Sequence, residues 1–349
     1  MFVDWRITFG IFIGSFLLTP LIRHFASKRR LIDVPNARSS HELPTPRGGG
    51  VAIVVNYFVG LVIIALLHRL PFDLISALTG AGIMVAAIGF LDDHGHISAR
   101  WRIIVHFIAA GWVVFSLNGF FLALNLSLYE WLFDLFWLIS LVWLINLYNF
   151  MDGIDTIAGA EAVFVCVSAT VFFLASGEYG MGSATALLAA AVAGFLFWNL
   201  PPARIFMGDV GSSFIGIVIG VIALAGIKGG VTSVWVWVIL LGVFLVDATV
   251  TVFRRILRGR RWYSAHRSHT YQHAAREFAS HGKVTAAVSL INVAWLFPWA
   301  VAAYEWPALG PLFAALAYLP LICLAFRFDA GVDDRARFTG EITLDTKEA

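Results

Sequence analysis

A chain of 349 residues that is 60% hydrophobic and only 13% charged has too little polar surface to cover a water-soluble core, which leaves the bilayer as its solvent. A net charge of +2 is too small to suggest nucleic acid as a partner. The cysteines, Cys166 and Cys323, both sit in apolar runs, which excludes a disulfide framework or a zinc site built on them.

A spanning helix needs about 20 mostly apolar residues. Eleven runs qualify in chain order, near 7–25, 48–67, 74–91, 102–118, 132–148, 159–176, 182–199, 210–228, 233–252, 284–303 and 308–326, with ten as the alternative count. The sequence therefore predicts an all-α polytopic membrane protein. The first run follows Met1–Arg6 directly and lacks a small-residue cleavage site, so it reads as a span and not as a signal peptide. Residues 119–131 read as a short hairpin or an interfacial segment. With the N-terminus outside, 21 of the 24 lysines and arginines fall on the inner side, a strong positive-inside bias. The expectation is one transmembrane catalytic domain over 1–326, N-terminus periplasmic and C-terminus cytoplasmic, in the inner membrane of a bacterium. Its inner loops would be 26–47, 92–101, 149–158, 200–209 and 253–283, and 327–349 would form a solvated, partly disordered tail.

On this topology every unusual polar cluster falls on the cytoplasmic side. Pro44-Thr45-Pro46-Arg47-Gly48-Gly49-Gly50 leads into the second run, and glycines there let backbone N–H groups approach an anion. Asp92-Asp93 ends the third run; adjacent carboxylates at a membrane boundary repel and call for a cation or a proton. Arg100 and Arg102 follow and suit phosphate, whereas His94 and His96 read as solvated. Asn146, Asn149, Asp152 and Asp155 are spaced by three, which at helical pitch puts each pair on one face, as a hard-cation or polar-ligand site would need. Asp209 opens the eighth run between Gly208 and Gly211, where little side-chain bulk obstructs a ligand. The last loop carries His266-Arg267-Ser268-His269, and imidazoles beside arginines suit phosphate oxygens better than lipid attraction alone explains. Acids, bases and glycines gathered on one face point to metal-assisted phosphoryl chemistry.

Asp92-Asp93, Asn146-x-x-Asn149-x-x-Asp152-Gly153-x-Asp155 and Phe206-Met207-Gly208-Asp209-x-Gly211-Ser212, in this order, resemble the polyprenyl-phosphate N-acetylhexosamine-1-phosphate transferases over roughly residues 20–285. The resemblance implies transfer of an N-acetylhexosamine-1-phosphate from a UDP-sugar to undecaprenyl phosphate with release of UMP. It implies magnesium, or manganese, held by Asp209 with Asp93. Asp92 would be the base or a second metal contact. Asp93, Asp152 and His269 would complete the catalytic set, with Asn149 supporting it. Asp155, Asn199 and Phe206 would form the nucleotide pocket, and Arg267 would hold the diphosphate or sugar. The partners implied are the UDP-N-acetyl sugar, undecaprenyl phosphate and membrane lipids, and a homodimer is compatible. His269-Thr270-Tyr271-Gln272 departs from the consecutive histidines of the muramoyl-pentapeptide branch and resembles the branch that initiates O-antigen in lipopolysaccharide synthesis. The same chemistry in common-antigen, teichoic-acid or peptidoglycan synthesis is the alternative. A lipid-linked sugar transporter is the rival class; it would place polar groups near the midplane, where Asp247 is the nearest candidate.

Overall fold

The computed structural model describes residues 4–35, 43–67, 69–95, 97–118, 128–260 and 266–332. The chain is helical almost throughout. It comprises α1 (Trp5–Lys28), α2 (Gly50–Leu66), α3 (Phe72–Gly95), α4 (Ala99–Asn118), α5 (Leu128–Met151), α6 (Ile157–Ala175) and α7 (Tyr179–Asn199). There follow α8 (Asp209–Lys228), α9 (Val234–Leu240), α10 (Gly242–Leu257), α11 (Thr270–Glu277), α12 (His281–Ile291), α13 (Phe297–Glu305) and α14 (Gly310–Arg327). The only paired strands among the described residues are β1 (Ile32–Asp33) and β2 (Thr45–Pro46), antiparallel, ahead of α2.

Among the described residues, nine helices are long and apolar enough to cross a membrane, and the bent pair α9–α10 makes a tenth. The shorter apolar α2 matches the remaining run, so each of the eleven runs finds a helix. This is a multi-pass membrane protein. Outward faces carry large apolar side chains such as Trp5, Phe9, Leu17 and Phe25 on α1, as lipid contact requires. At the centre stands α8, most of whose apolar stretch is buried, whereas that of α1 is mostly exposed.

Small residues let neighbouring backbones reach α8, the packing mode of helices that gain nothing from hiding apolar surface in lipid. A Cβ on Gly89 of α3 would lie 2.6 Å from the Asp209 carbonyl oxygen, and one on Gly50 of α2 would lie 2.3 Å from the Gly211 Cα. Gly89→Ala is therefore expected to push α3 away from the start of α8. Overpacking of this kind costs about 1–3 kcal/mol, and a displacement near 1 Å at a reacting centre lowers turnover by about 100-fold. Turnover and thermal unfolding in detergent check both.

Several local expectations change. The run 233–252 is not one straight helix: α9 and α10 meet at 78°. Gly242 starts the second limb, and the Tyr318 hydroxyl donates to the Val238 carbonyl at 2.6 Å beside the break. The run 284–303 carries a π-helical turn at Asn292–Leu296 between α12 and α13, where the Asn292 amide donates to the buried Glu161. The basic loop 253–283 contains α11. Of the segment 119–131, residues 119–127 lie outside the described residues and the rest belong to α5. Arg38, His96 and residues 261–265 and 333–349 also lie outside them. The first residues of the expected solvated tail are instead docked. Ala330 is buried, the Gly331 N–H donates to the Ser268 carbonyl at 2.7 Å, and Arg258 donates to the Gly331 carbonyl at 3.0 Å.

Candidate active site

The C-terminal ends of α3 and α5 and the N-terminal end of α8 meet at one end of the bundle. Asp92 and Asp93 occupy the last turn of α3, which runs on to Gly95. Asp93 is buried and points its carboxylate at the first turn of α8. It accepts the Asp209 N–H at 3.0 Å and the Val210 N–H at 3.2 Å, an N-cap supplied from another helix. Arg47, just before α2, donates to the Asp93 carbonyl.

Asp92 and Asp209 face one another across a guanidinium. Arg102 Nη1 donates to Asp209 Oδ2 at 2.8 Å and also to Asp92 Oδ2. The second oxygen of Asp92 accepts the Ile97 N–H at 2.6 Å, and that of Asp209 accepts the Asn149 amide at 2.7 Å. Two carboxylates from different helices thus share a cation, the arrangement that relieves their repulsion.

Asn149 lies in the last turn of α5, but the helix stops at Met151. Asp152 and Asp155 therefore do not share a helical face; they sit in a turn that ends with Thr156 at φ 73°. Asp152 accepts no hydrogen bond among the described residues. Desolvation, followed by the charges of Asp209, Asp93 and Asp155, pushes its carboxyl well above the usual carboxylate range. Asp155 accepts the Ala203 N–H at 3.1 Å and pairs with His281 at 3.4 Å. Asn199 uses both ends of its amide internally, accepting the Thr156 N–H at 2.7 Å and donating to the Ile205 carbonyl at 3.0 Å. It ties the two loops together. Asn146 donates to the Val142 carbonyl one turn back, at 2.7 Å.

The glycine-rich approach to α2 does not hold its amides open. Gly49 N–H donates to the Phe206 carbonyl at 2.9 Å and Gly50 N–H to the Met207 carbonyl at 2.8 Å, so these glycines serve a close backbone crossing. That crossing fixes Phe206 on the wall of a cavity of about 810 Å³, which Asp155, Gln272, Arg276 and His281 also line.

His269 is buried at the start of α11. Its Nδ1 lies 3.2 Å from Oδ1 of Asp247, and the same carboxylate accepts the Thr270 and Tyr271 N–H groups at 2.9 and 3.0 Å and the Thr251 hydroxyl at 3.1 Å. Asp247 therefore caps α11 and orients His269, a role that sequence reasoning missed. The signal was present, because an acid inside an apolar run needs a partner. The Tyr271 hydroxyl reaches across to the Phe150 carbonyl at 2.9 Å, joining α11 to the end of α5. Arg267 flanks His269, and its carbonyl accepts from Arg276.

Comparison with known proteins bears on this end of the bundle directly. The family model described as glycosyl transferase family 4 matches residues 75–227, a span holding every acid just described except Asp247. The chain is 27% identical over 315 residues to a probable undecaprenyl-phosphate N-acetylglucosaminyl 1-phosphate transferase of Bacillus subtilis, covering 88% of this chain and 87% of the relative. These matches support the polyprenyl-phosphate hexosamine-1-phosphate transferase superfamily for this chain. A second relative in this superfamily is the undecaprenyl-phosphate alpha-N-acetylglucosaminyl 1-phosphate transferase of Thermotoga maritima, 26% identical over 82% of this chain and 86% of its own. A phospho-N-acetylmuramoyl-pentapeptide-transferase of Chlamydia muridarum is 30% identical, but over 51% of this chain and 60% of its own. The longer matches are thus to transferases named for N-acetylglucosamine.

Proposed function

We propose that this protein transfers an N-acetylhexosamine-1-phosphate from a UDP-sugar to undecaprenyl phosphate, releasing UMP, at the cytoplasmic face of the bacterial inner membrane, to initiate O-antigen or a related polysaccharide. The observation that carries the reading is the Asp92–Arg102–Asp209 cluster, built from three helices; Asp155 and Phe206 line a cavity of their own. The names of the long-matching relatives support the lipid phosphate as acceptor and N-acetylglucosamine as the sugar to test first. The distribution of basic residues supports the cytoplasmic face.

In this reading an oxygen of the lipid phosphate attacks the β-phosphorus of the UDP-sugar. The bond from that phosphorus to the α–β bridging oxygen breaks, and UMP leaves with the electron pair. Phe206 offers a ring face to the uracil and Asp155 an acceptor to its N–H. Asp92 takes the proton of the lipid phosphate. His269, held by Asp247, and Arg267 steady the diphosphate.

The donor set fits magnesium. Among the described residues no group of three or more acidic, histidine or cysteine side chains converges on one point. Asp92 and Asp209 do share one cation, and magnesium typically takes one or two carboxylates and completes its shell with water and substrate phosphates. Asp209 would be its principal ligand, with Asp92 beside it as the base, whereas Asp93 is engaged as the cap of α8. Bound there, the metal would neutralise charge on the phosphates.

The raised Asp152 carboxyl sets a pH dependence. A proton stays on this group to higher pH than on an ordinary carboxylate, and a nearby cation favours its loss. Magnesium should therefore bind more tightly as pH rises and should release protons on binding. Titrating the magnesium requirement at several pH values checks this, and Asp152→Asn should flatten the trend. The functional reading itself is tested with purified protein, undecaprenyl phosphate and a panel of UDP-sugars. UMP release with UDP-N-acetylglucosamine or a related amino sugar is expected. Turnover of UDP-muramoyl-pentapeptide alone would overturn the sugar assignment.

A further inference from the structure

We propose that Glu161 is a neutral acid that shares its proton with the side-chain carbonyl of Asn292, and that this acid–amide pair positions Asp155 by holding α12 against α6. The pair itself is independent of the function proposed above; its consequence for Asp155 rests on that reading.

Two oxygens carry the inference. Asn292 opens the π-helical turn and is buried, as is Glu161 in the second turn of α6. Asn292 Nδ2 donates to Glu161 Oε2. The other oxygen of each group, Glu161 Oε1 and Asn292 Oδ1, is buried with no hydrogen-bond partner among the described residues. An ionised carboxylate and an amide carbonyl are both acceptors, so neither can satisfy the other. One proton on Oε1 turns the two into donor and acceptor. A planar acid and a planar amide then bond edge to edge, through Nδ2–H to Oε2 and Oε1–H to Oδ1. Among the described residues no lysine, arginine or histidine pairs with Glu161. The titratable side chain that answers to it electrostatically is Tyr148 of α5, itself a buried phenol. Enclosed in this way, an ionised carboxylate would be an uncompensated charge, which a protein interior disfavours strongly.

The pair sits on the seam that carries Asp155. Along this seam α12 packs against α6. At its mouth, Nδ1 of His281 lies 3.4 Å from Oδ2 of Asp155, and Thr285 Oγ1 donates to the Asp155 carbonyl at 3.1 Å. Asn292 lies about two turns beyond Thr285. The regular helical ladder breaks there, because Pro298 has no N–H and the Phe297 N–H donates to the Asn292 carbonyl five residues back. The bond to Glu161 fixes this loosened turn, and with it the helix whose first residues hold Asp155.

Three variants test the pair. Glu161→Gln keeps both edges of the ring without an ionisable group. Asn292→Leu removes one edge. The exchange Glu161→Gln with Asn292→Asp rebuilds the ring with acid and amide on opposite helices. The readouts are the infrared carbonyl stretch of a protonated carboxylic acid, the dissociation constant of UMP, the KM for undecaprenyl phosphate, and thermal unfolding. An acid band is expected in wild type and lost in Glu161→Gln. UMP binding should stay within about twofold of wild type in Glu161→Gln and in the exchange. In Asn292→Leu it should weaken by about 10-fold while the KM for undecaprenyl phosphate holds, since Asp155 alone is displaced. No acid band assignable to Glu161, UMP binding as weak in Glu161→Gln as in Asn292→Leu, or an unfolding temperature that follows sodium or potassium at constant ionic strength would each overturn the neutral acid. Wild-type UMP binding in a folded Asn292→Leu would overturn the positioning role. Should that variant not fold, the exchange decides: wild-type UMP binding supports the pair and weakened binding overturns it. A wild-type protein that releases no UMP would overturn the functional reading and leave the infrared result standing.

Discussion

Asp209→Asn is expected to lower UMP release by roughly 1000-fold, about 4 kcal/mol of transition-state stabilisation, while leaving the protein folded. Asparagine matches the volume of aspartate and still begins a helix well. The backbone N–H of residue 209 still meets Asp93, so the cap of α8 survives. What disappears is one of the two charges that flank Arg102. A cation between positions 92 and 209 then has a single carboxylate, and a magnesium ion held there as proposed would lose its principal protein ligand. Rapid-quench measurement of UMP, with unfolding temperature as the control, separates the two consequences. Near-wild-type turnover would remove Asp209 from the chemistry.

Asp247→Ala is expected to combine lost activity with lost stability. Its carboxylate serves two backbone N–H groups, the Thr251 hydroxyl and His269 within a buried setting. Removing it leaves these donors unanswered, at about 3–5 kcal/mol for a broken buried network of this kind. It also frees the His269 ring. Misorienting a histidine beside a reacting phosphate is worth about 100-fold or more in turnover. Asp247→Asn retains one acceptor, so it should unfold at a temperature between wild type and Asp247→Ala yet still lower kcat. Equal unfolding temperatures for all three proteins would contradict the cap.

The contrast between these two acids shows what the sequence made legible. Asp209 lies in a compact motif at a run boundary, and Asp92, Asn149 and Asp152 lie in others, so local spacing identified the groups that meet at one end of the bundle. The eleven apolar runs marked the helices equally well, because burial in lipid demands a nearly continuous apolar stretch. Long-range pairing left no such trace. Nothing near residue 247 announces that its carboxylate caps a helix that begins at Thr270. Nor does Asp93 show in sequence that its oxygens close the first turn of α8. The glycines at 48–50 suggested an anion cradle, yet two of their amides are held by the carbonyls of Phe206 and Met207. In each case the partner lies far along the chain, where periodicity and spacing carry no information.

The central claim is that a sugar-1-phosphate, and not a sugar alone, moves to the lipid. UDP-N-acetylglucosamine labelled in its β-phosphorus tests it most directly, with purified protein, magnesium and undecaprenyl phosphate. The label is expected in the lipid extract and unlabelled UMP in the aqueous phase, in equal amounts. Label retained in UDP, or no label in the lipid under any magnesium concentration, would contradict it.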